Sequence, residues 1–170
     1  MQNSMISSKS GAVPLDRMDY RIIKALVEDG RISDTALGER LHLSSTAVAR
    51  RRRQLEEAGV IKSYTAFMNA QVLGLSMTVI VHIELTSQAE QVLMDFEEAV
   101  LGCPSMSFCS FVSGETDFIM MVHVPTFEAY DAVYRKELST LPHVARIRSS
   151  FVMRQVAARL VPPAAFDRLD

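Results

Sequence analysis

The sequence is poor in cysteine and has no long apolar run. Cys103 and Cys109 are the only cysteines among 170 residues that include ten methionines. Two cysteines without neighbouring ligand residues favour buried thiols in a reducing cytoplasm over a disulfide framework or a metal site. Residues 1–14 are rich in serine and lack the apolar core of a signal peptide, so we expect a disordered arm and no membrane anchor.

The sequence also lacks the short motifs of common enzymes. It contains no Walker phosphate loop, no dinucleotide-binding glycine pattern and no HExxH zinc helix. The four histidines, His42, His82, His123 and His143, are scattered over predicted turns and strands, without an acid–base partner at short spacing. His82 and His123 could meet on neighbouring strands, but a lone histidine on a strand is more often packed or solvated. We therefore predict neither catalytic residues nor a bound cofactor.

Charge is distributed unevenly along the chain. Residues 1–64 hold 11 lysines and arginines against 8 acidic residues, whereas residues 65–170 hold 7 against 12. The two parts therefore carry net charges of +3 and −5, in agreement with the −2 of the whole chain. A basic part is typical of a nucleic-acid-binding domain, so the overall isoelectric point near 6.1 does not argue against DNA binding.

The first part of the chain carries the pattern of three short helices. Asp16, Ser33 and Ser44 are suitable N-cap residues, and each precedes a stretch with apolar residues at helical spacing. Only a short turn separates the second helix from the third. Residues 60–67 then alternate as an exposed strand would. These elements predict a winged helix-turn-helix domain over residues 15–63.

The third helix is the predicted recognition helix, because small and hydroxyl-bearing residues begin it and four consecutive arginines follow. The predicted DNA-contacting residues are Ser44, Ser45, Thr46, Ala47, Ala49, Arg50, Arg51 and Arg53. Arg52 falls on the buried side with Val48, so we expect its stem to pack and its guanidinium to reach outward. Alternatively, the arginines form only a solvated helix face that is paired with Glu56 and Glu57.

The rest of the chain alternates between strand and helix patterns. The predicted elements are a strand at 75–85, a helix at 87–101, strands at 106–112 and 118–124 joined by a hairpin turn, a helix from Thr126, and a strand at 144–156. This order predicts a ferredoxin-like βαββαβ domain over residues 75–157, which makes the whole chain an α+β protein. Residues 64–74 are the predicted strand linker, and residues 158–170 the C-terminal tail.

Two helices cover only one face of a four-stranded sheet, so the second face needs another partner. Ile80, Val122, Val124 and alternate residues of the last strand indicate that this second face is partly apolar. A second copy of the chain is the simplest partner. A twofold dimer also supplies two recognition helices, as the binding of paired half-sites requires.

The sequence resembles the Lrp/AsnC family of bacterial and archaeal transcriptional regulators from Leu15 to about Val156. The matching residues are Leu15-Asp16-Arg17-Met18-Asp19, Asp29-Gly30-Arg31-Ile32-Ser33, Leu43-Ser44, Arg51, Leu55-Glu56, Gly59-Val60-Ile61, Tyr64-Thr65-Ala66 and Val112-Ser113-Gly114-Glu115-Thr116-Asp117. The resemblance implies a cytoplasmic regulator whose winged helix binds double-stranded DNA. It also implies a sensing domain that dimerises through its sheet, often assembles into tetramers or octamers, and takes a small amino acid as effector.

In such relatives the effector lies between dimers, near the turn after the second strand. The effector-binding residues that the resemblance implies are Gly114, Glu115, Thr116 and Asp117, with Ser149 and Ser150 on the last strand as further candidates. Gly114 offers unblocked amides to a carboxylate, and Asp117 could accept the ammonium group. Alternatively, Asp117 bonds its own turn. The chain departs from the family at Arg52, where relatives carry an apolar residue, and at Glu115-Thr116, which replaces an acidic–aromatic pair.

Two other functions stay open at this stage. Siroheme decarboxylases resemble the same two-domain architecture, and they act on a tetrapyrrole through histidines of the second domain. An architectural protein that wraps DNA through its oligomer would keep the arginines and need no effector. The scattered histidines favour a DNA-binding regulator over the enzyme.

Overall fold

The computed structural model describes residues 14–169, so the predicted arm lies outside the described residues except for Pro14. The described chain divides into two units. One comprises the residues up to Phe67 together with the segment that starts at Ala158, and the other is Met68–Ala157. Within the described residues, no helix combines the length and the apolar character needed to cross a membrane.

The first unit contains three helices, and each begins at the capping residue that the sequence predicts. The helices are α1 at Arg17–Glu28, α2 at Asp34–Leu41 and α3 at Ser45–Glu57. The Asp16 carboxylate accepts from the backbone N–H of Asp19, whose carboxylate accepts from the N–H of Asp16. Ser33 Oγ and Ser44 Oγ each accept a backbone N–H from three residues further on. The three predicted caps are therefore confirmed.

A small apolar core and a tight turn fix the position of α3 against α2. The buried residues of this core are Ile22, Ala25, Leu37, Leu41, Val48 and Leu55. His42 ends α2 in the left-handed backbone conformation, with φ at 58°. A Cβ atom at Gly38 would lie only 2.6 Å from the carbonyl oxygen of Leu43. Glycine at this position therefore allows the turn to pass close to α2.

The predicted wing strand at residues 60–67 is wrong for the described chain. Gly59 ends the helical region with φ at 69°, as its position predicts. The N–H groups of Val60 and Ile61 then both donate to the carbonyl of Leu55, at 2.9 and 3.1 Å. The residues that follow have no strand beside them among the described residues, and alternating polarity without a pairing partner does not make a strand.

The predicted strand linker at residues 64–74 also contains no strand. Its last part is a turn, which Asn69 organises by accepting the backbone N–H of Gln71 at its side-chain oxygen, at 3.0 Å. Gly74 closes the turn with φ at 81°. A turn of this kind replaces the extended segment that the polarity pattern suggested.

The second unit is a four-stranded antiparallel sheet with two helices packed on one face. Its elements are β1 at Met77–Leu85, α4 at Glu90–Val100, β2 at Met106–Phe111, β3 at Phe118–Val124, α5 at Phe127–Val133 with a π-helical continuation at Tyr134–Leu138, and β4 at Val144–Phe151. The strand order is β2-β3-β1-β4. This is the ferredoxin-like order, so the predicted fold class is confirmed. β4 is shorter than predicted because its pairing with β1 ends at Phe151, opposite Val79.

The strand register assigns each side chain to a face of the sheet. Val122 pairs with Val79 and Val124 with Met77, which places both valines on the face that the helices cover. The prediction that these two valines lie on the second face is therefore wrong, whereas Ile80 does lie there. The second face, called the open face below, carries Thr78, Ile80, His82, Glu84, Ile119, Met121, His123, Arg148 and Ser150. None of these side chains is fully buried in the described chain.

The C-terminal segment returns to the first unit. After β4 the chain runs through residues without regular structure to a 3₁₀ helix at Pro163–Leu169. This helix packs against α1. The predicted tail at residues 158–170 thus contains an ordered element. Its polar and apolar residues have no helical periodicity, so the sequence did not predict this helix.

Candidate nucleic-acid interface and ligand-binding turn

The N-terminal end of α3 presents hydroxyl groups and free backbone N–H groups. Ser44, Ser45 and Thr46 are exposed, and the Ser44 and Thr46 hydroxyls lie 3.1 Å apart within hydrogen-bond distance. Ala47 and Ala49 are half-buried beside them, and their small side chains project little from the helix. The first N–H groups of a helix lack intrahelical partners and carry partial positive charge. This end of α3 is therefore suited to a phosphate oxygen.

The four arginines of α3 separate into an exposed pair and a packed pair. Arg50 and Arg53 are exposed and three residues apart, so they lie on the same side of the helix. The Arg50 guanidinium donates a long hydrogen bond of 3.4 Å to Oε1 of Gln54. No ion pair among residues 14–169 includes either of them, so both guanidinium groups can reach a polyanion without breaking one.

Arg51 connects α3 to the start of α1. Its Nη1 lies 2.8 Å from Asp16 Oδ2 and 2.7 Å from Asp19 Oδ1, and the side chain is 25% exposed. The hydrogen bonds to Asp16 and Asp19 raise the pKa of Arg51. The pKa of Asp16 is lowered, first by the backbone N–H of Asp19 and also by Arg51. The predicted DNA contact Arg51 thus has its guanidinium engaged within the fold.

Arg52 connects α3 to α2. Its Nη2 donates to the carbonyl of Ile32 at 2.9 Å and lies 3.0 Å from Asp34 Oδ1. Its guanidinium carbon is 5.8 Å from the ring centre of Tyr64, at a distance typical of a cation–π contact. The stem packs as predicted, but the expectation that the guanidinium reaches outward is wrong, because the carbonyl and carboxylate at the start of α2 bind it.

Tyr64, which the sequence showed only as part of a match to the family, has a structural role in this region. Its hydroxyl donates to Glu56 Oε1 at 2.8 Å. Burial, followed by the hydrogen bond to Glu56, raises the pKa of Tyr64 to about 12. The phenol therefore stays protonated and fixes the segment after α3 to the helix itself.

The turn between β2 and β3 combines an exposed glycine with two anchored side chains. Gly114 has φ at 127° and is exposed, as is Glu115. Apart from its two chain neighbours, no residue in the described part of the chain has an atom within 4 Å of where a Cβ of Gly114 would be, so its backbone is open to a ligand. The hydroxyl of Thr116 donates to the carbonyl of Ile83 at 2.7 Å. Thr116 therefore ties the turn to β1, and its hydroxyl proton is not available to a ligand.

Asp117 is buried and binds the loop between β1 and α4. The residue is 6% exposed. Its Oδ2 accepts the backbone N–H of Leu85 at 2.7 Å, and its Oδ1 accepts Nε2 of Gln88 at 2.8 Å. The side chain thus bonds a neighbouring loop, a possibility that neither alternative from the sequence included.

Ser149 and Ser150 point to opposite faces of β4. Ser149 pairs with Val81 on the covered face, where its hydroxyl lies 2.5 Å from the hydroxyl of Tyr130. Ser150 pairs with Ile80 and is exposed on the open face. Strand β1 separates both serines from β3 and the turn before it. The described chain therefore does not bring the six predicted effector residues together in one place.

The histidines do not form a shared site. His82 pairs with Ile119 and His123 with Thr78, so the two histidines lie at different heights on the open face, and the expectation that they could meet is wrong. The His123 ring binds the hydroxyls of Thr78 and Ser107, at 3.1 and 2.7 Å. In the part of the chain that the structure describes, no group of three or more His, Cys, Asp or Glu side chains could hold a metal ion.

Comparison with known proteins identifies both units. The family profile of the AsnC-type helix-turn-helix domain matches residues 15–56, and that of the Lrp/AsnC ligand binding domain matches residues 78–161. The Bkd operon transcriptional regulator of Pseudomonas aeruginosa is 36% identical over 149 residues, which cover 88% of this chain and 97% of the relative. The leucine-responsive regulatory protein of Escherichia coli K12 is 37% identical over 150 residues, 88% of this chain and 92% of the relative.

Solved structures agree with these sequence matches. A transcriptional regulator of Neisseria meningitidis in complex with L-methionine superposes with a TM-score of 0.83 and 27% identity, covering 88% of this chain and 97% of that one. An AsnC family regulator of Agrobacterium tumefaciens gives 0.83 and 29%, covering 90% and 99%. Both domains of the family are therefore matched, in the expected order. The known regulators also align with 88% of this chain at more than one third identity. The chain is a member of the Lrp/AsnC family of DNA-binding transcriptional regulators.

Proposed function

We propose that this regulator contacts double-stranded DNA through the N-terminal end of α3 and through Arg50 and Arg53. This proposal rests on the different surroundings of the four consecutive arginines. Arg51 and Arg52 hold α3 against α1 and α2, whereas Arg50 and Arg53 are exposed on one side of the same helix. A helix that is fixed by two arginines and presents two others is suited to enter a major groove in one orientation.

The proposed contacts have separate chemical roles. The hydroxyls of Ser45 and Thr46 and the free N–H groups of the first turn bind phosphate and fix the register on the duplex. Arg50 and Arg53 bind phosphates or the edge of a guanine. Ser44 is included among the proposed contacts because its hydroxyl lies beside that of Thr46. The small side chains of Ala47 and Ala49 let the helix approach the DNA closely.

The test measures DNA affinity against salt concentration. The double variant Arg50→Ala, Arg53→Ala should bind DNA more weakly, and the slope of log affinity against log salt should fall by about 0.9 for each lost phosphate contact. The matched control is Arg135→Ala with Lys136→Ala, which removes two exposed cations from the second unit. Equal slopes in the wild type, the double variant and the control would reject the role of the two arginines.

We propose further that a small amino acid binds at the turn between β2 and β3. The structural relative from Neisseria meningitidis was solved with L-methionine, which supports an amino acid as the ligand class. Here the open backbone of Gly114 and Glu115 is suited to the carboxylate, and Asp117 supplies a carboxylate for the ammonium group. Thr116 acts only through its anchoring of the turn. Thermal shift across the twenty amino acids tests the proposal, and a flat response would favour an architectural DNA-binding protein.

The open face supports assembly into a homodimer, from which tetramers or octamers can be built. Ile80, Ile119 and Met121 lie on this face without full burial. A second copy that covers them removes apolar surface from water. Light scattering should give at least a dimer mass for the wild type and a smaller mass for Ile119→Lys. An unchanged mass for the variant would place the subunit contact elsewhere.

We propose that the protein acts in the cytoplasm as a regulator and has no catalytic activity. Its relatives at over one third identity are transcriptional regulators. The separation of His82 from His123 also argues against paired histidines acting on a tetrapyrrole. Incubation with siroheme followed by absorbance spectroscopy tests this point, since a bound tetrapyrrole would support the enzyme instead.

A further inference from the structure

Asp117 is the only charged residue that is buried in the part of the chain that the structure describes. Both of its hydrogen-bond donors are neutral, namely the backbone N–H of Leu85 and the side-chain amide of Gln88. None of the ion pairs among the described residues includes it. Buried carboxylates are usually paired with a cation, because neutral donors only partly replace the lost hydration. The surroundings of Asp117 are thus suited to a cation that the protein itself does not supply.

The two donors to Asp117 differ in how easily they can leave. The N–H of Leu85 is fixed, because Leu85 is the last residue of β1 and its side chain is buried in the core. The amide of Gln88 belongs to the loop of residues 86–89, which has no regular structure and whose residues are all exposed. Rotation of the Gln88 side chain into water would therefore free Oδ1 of Asp117 without disturbing the strand.

We propose that Gln88 is an internal competitor for the ammonium group of the effector. This inference rests on the proposed function, in which an amino acid binds at the turn that contains Asp117. In the ligand-free protein Nε2 of Gln88 occupies the position on Oδ1 of Asp117, at 2.8 Å, that the ammonium takes in the complex. Binding replaces a neutral donor by a charged one, which forms the stronger hydrogen bond with a carboxylate.

The competitor has two consequences for the regulator. It lowers the apparent affinity for the effector, because part of the binding free energy is used to displace the amide. It also restricts the site to ligands with a free ammonium group, because only a charged donor outcompetes the amide that is already present. Gln88 therefore sets both the concentration at which the effector acts and the class of ligand that is accepted.

The test compares the full-length wild type with Gln88→Ala and with a matched control. Gln91→Ala removes another glutamine of the same region that donates to a carboxylate, since Nε2 of Gln91 lies 2.7 Å from Oδ1 of Asp95. Each protein is titrated calorimetrically with the twenty amino acids, and every one that binds is repeated as its N-acetyl derivative, which lacks the charged ammonium. A Gln88→Ser variant serves as a second test if Gln88→Ala melts at a lower temperature.

We expect Gln88→Ala to bind the effector about tenfold more tightly than the wild type, the size expected for one competing hydrogen bond to a charged group. Gln91→Ala should match the wild type, and the N-acetyl derivative should bind only the two variants that lack the Gln88 amide, because no competitor then excludes a neutral donor. Binding by Gln88→Ala alone would also support the inference, with Gln88 then closing the site in the wild type. Equal or weaker binding by Gln88→Ala and Gln88→Ser would overturn it and leave the proposed effector site intact. Absence of binding by every protein would overturn both.

Discussion

Replacement of Arg51 by methionine should destabilise the helical unit and leave the salt dependence of DNA binding nearly unchanged. Methionine keeps an apolar stem and removes two charge-assisted hydrogen bonds, at 2.8 Å to Asp16 and 2.7 Å to Asp19. Bonds to charged groups contribute about 1.5–3 kcal/mol when buried, and exposed ion pairs contribute about 0–1 kcal/mol. Arg51 is 25% exposed, while Asp16 and Asp19 are 53% and 16% exposed. We therefore expect a total loss of about 1–2 kcal/mol.

The loss should depend on pH in a defined direction. The folded state lowers the pKa of Asp16 below its ordinary value of 3.8, so its ionisation stabilises the fold above that pH. This stabilisation disappears as the pH falls through the lowered pKa. The backbone N–H of Asp19, the main cause of the shift, is still present in Arg51→Met. The difference between wild type and variant should therefore shrink on acidification, while part of the pH dependence persists in both.

Urea unfolding at pH 7 and at pH 3 measures this stability difference, and DNA titration at several salt concentrations measures the contact. Arg50→Ala is the matched control, since it should change the salt slope and leave the unfolding free energy close to that of the wild type. The reverse pattern would refute the assignment. If Arg51→Met lowered the salt slope as Arg50→Ala does, without loss of stability, Arg51 would be a DNA contact after all.

Two further outcomes follow from the geometry. Gly38→Ala should lower the free energy of unfolding in urea by about 1–3 kcal/mol, because its Cβ would lie 2.6 Å from the carbonyl oxygen of Leu43. Gly30→Ala should change stability far less, because its Cβ would lie 3.7 Å from the nearest atom. Equal losses in the two variants would show that the turn relaxes. Burial raises the pKa of Cys109 to about 11, so its alkylation by iodoacetamide at pH 8 should be much slower than that of a free thiol; alkylation of the folded protein at the rate of free cysteine would contradict this.

Local signals predicted the helices well. Asp16, Ser33 and Ser44 identify three helix starts because a cap depends on residues within one turn of itself. The order of strands and helices likewise predicted the ferredoxin-like topology. The start and end of β3, Phe118 and Val124, were also predicted, because turn residues precede the strand and a helix cap follows it.

Interactions between distant parts of the chain could not be predicted. The ion pairs of Arg51 join residues 32 and 35 positions apart, and a run of arginines gives no sign of which members are engaged. The bond from Gln88 to Asp117 spans 29 positions. The face of Val122 depended on its pairing with Val79, and the alternation that suggests a longer β4 continues after the pairing of β4 with β1 has ended. The same dependence on a pairing strand explains the missing wing.

The return of Pro163–Leu169 to α1 makes the sensing sheet an insertion between two pieces of the helical unit. A ribosome makes this segment after all four strands, so the packing of the helical unit is completed only after the whole sheet has been made. Completion of the helical unit and completion of the sheet are thereby linked during synthesis. Nascent chains that stop before residue 163 would lack the 3₁₀ helix that packs against α1.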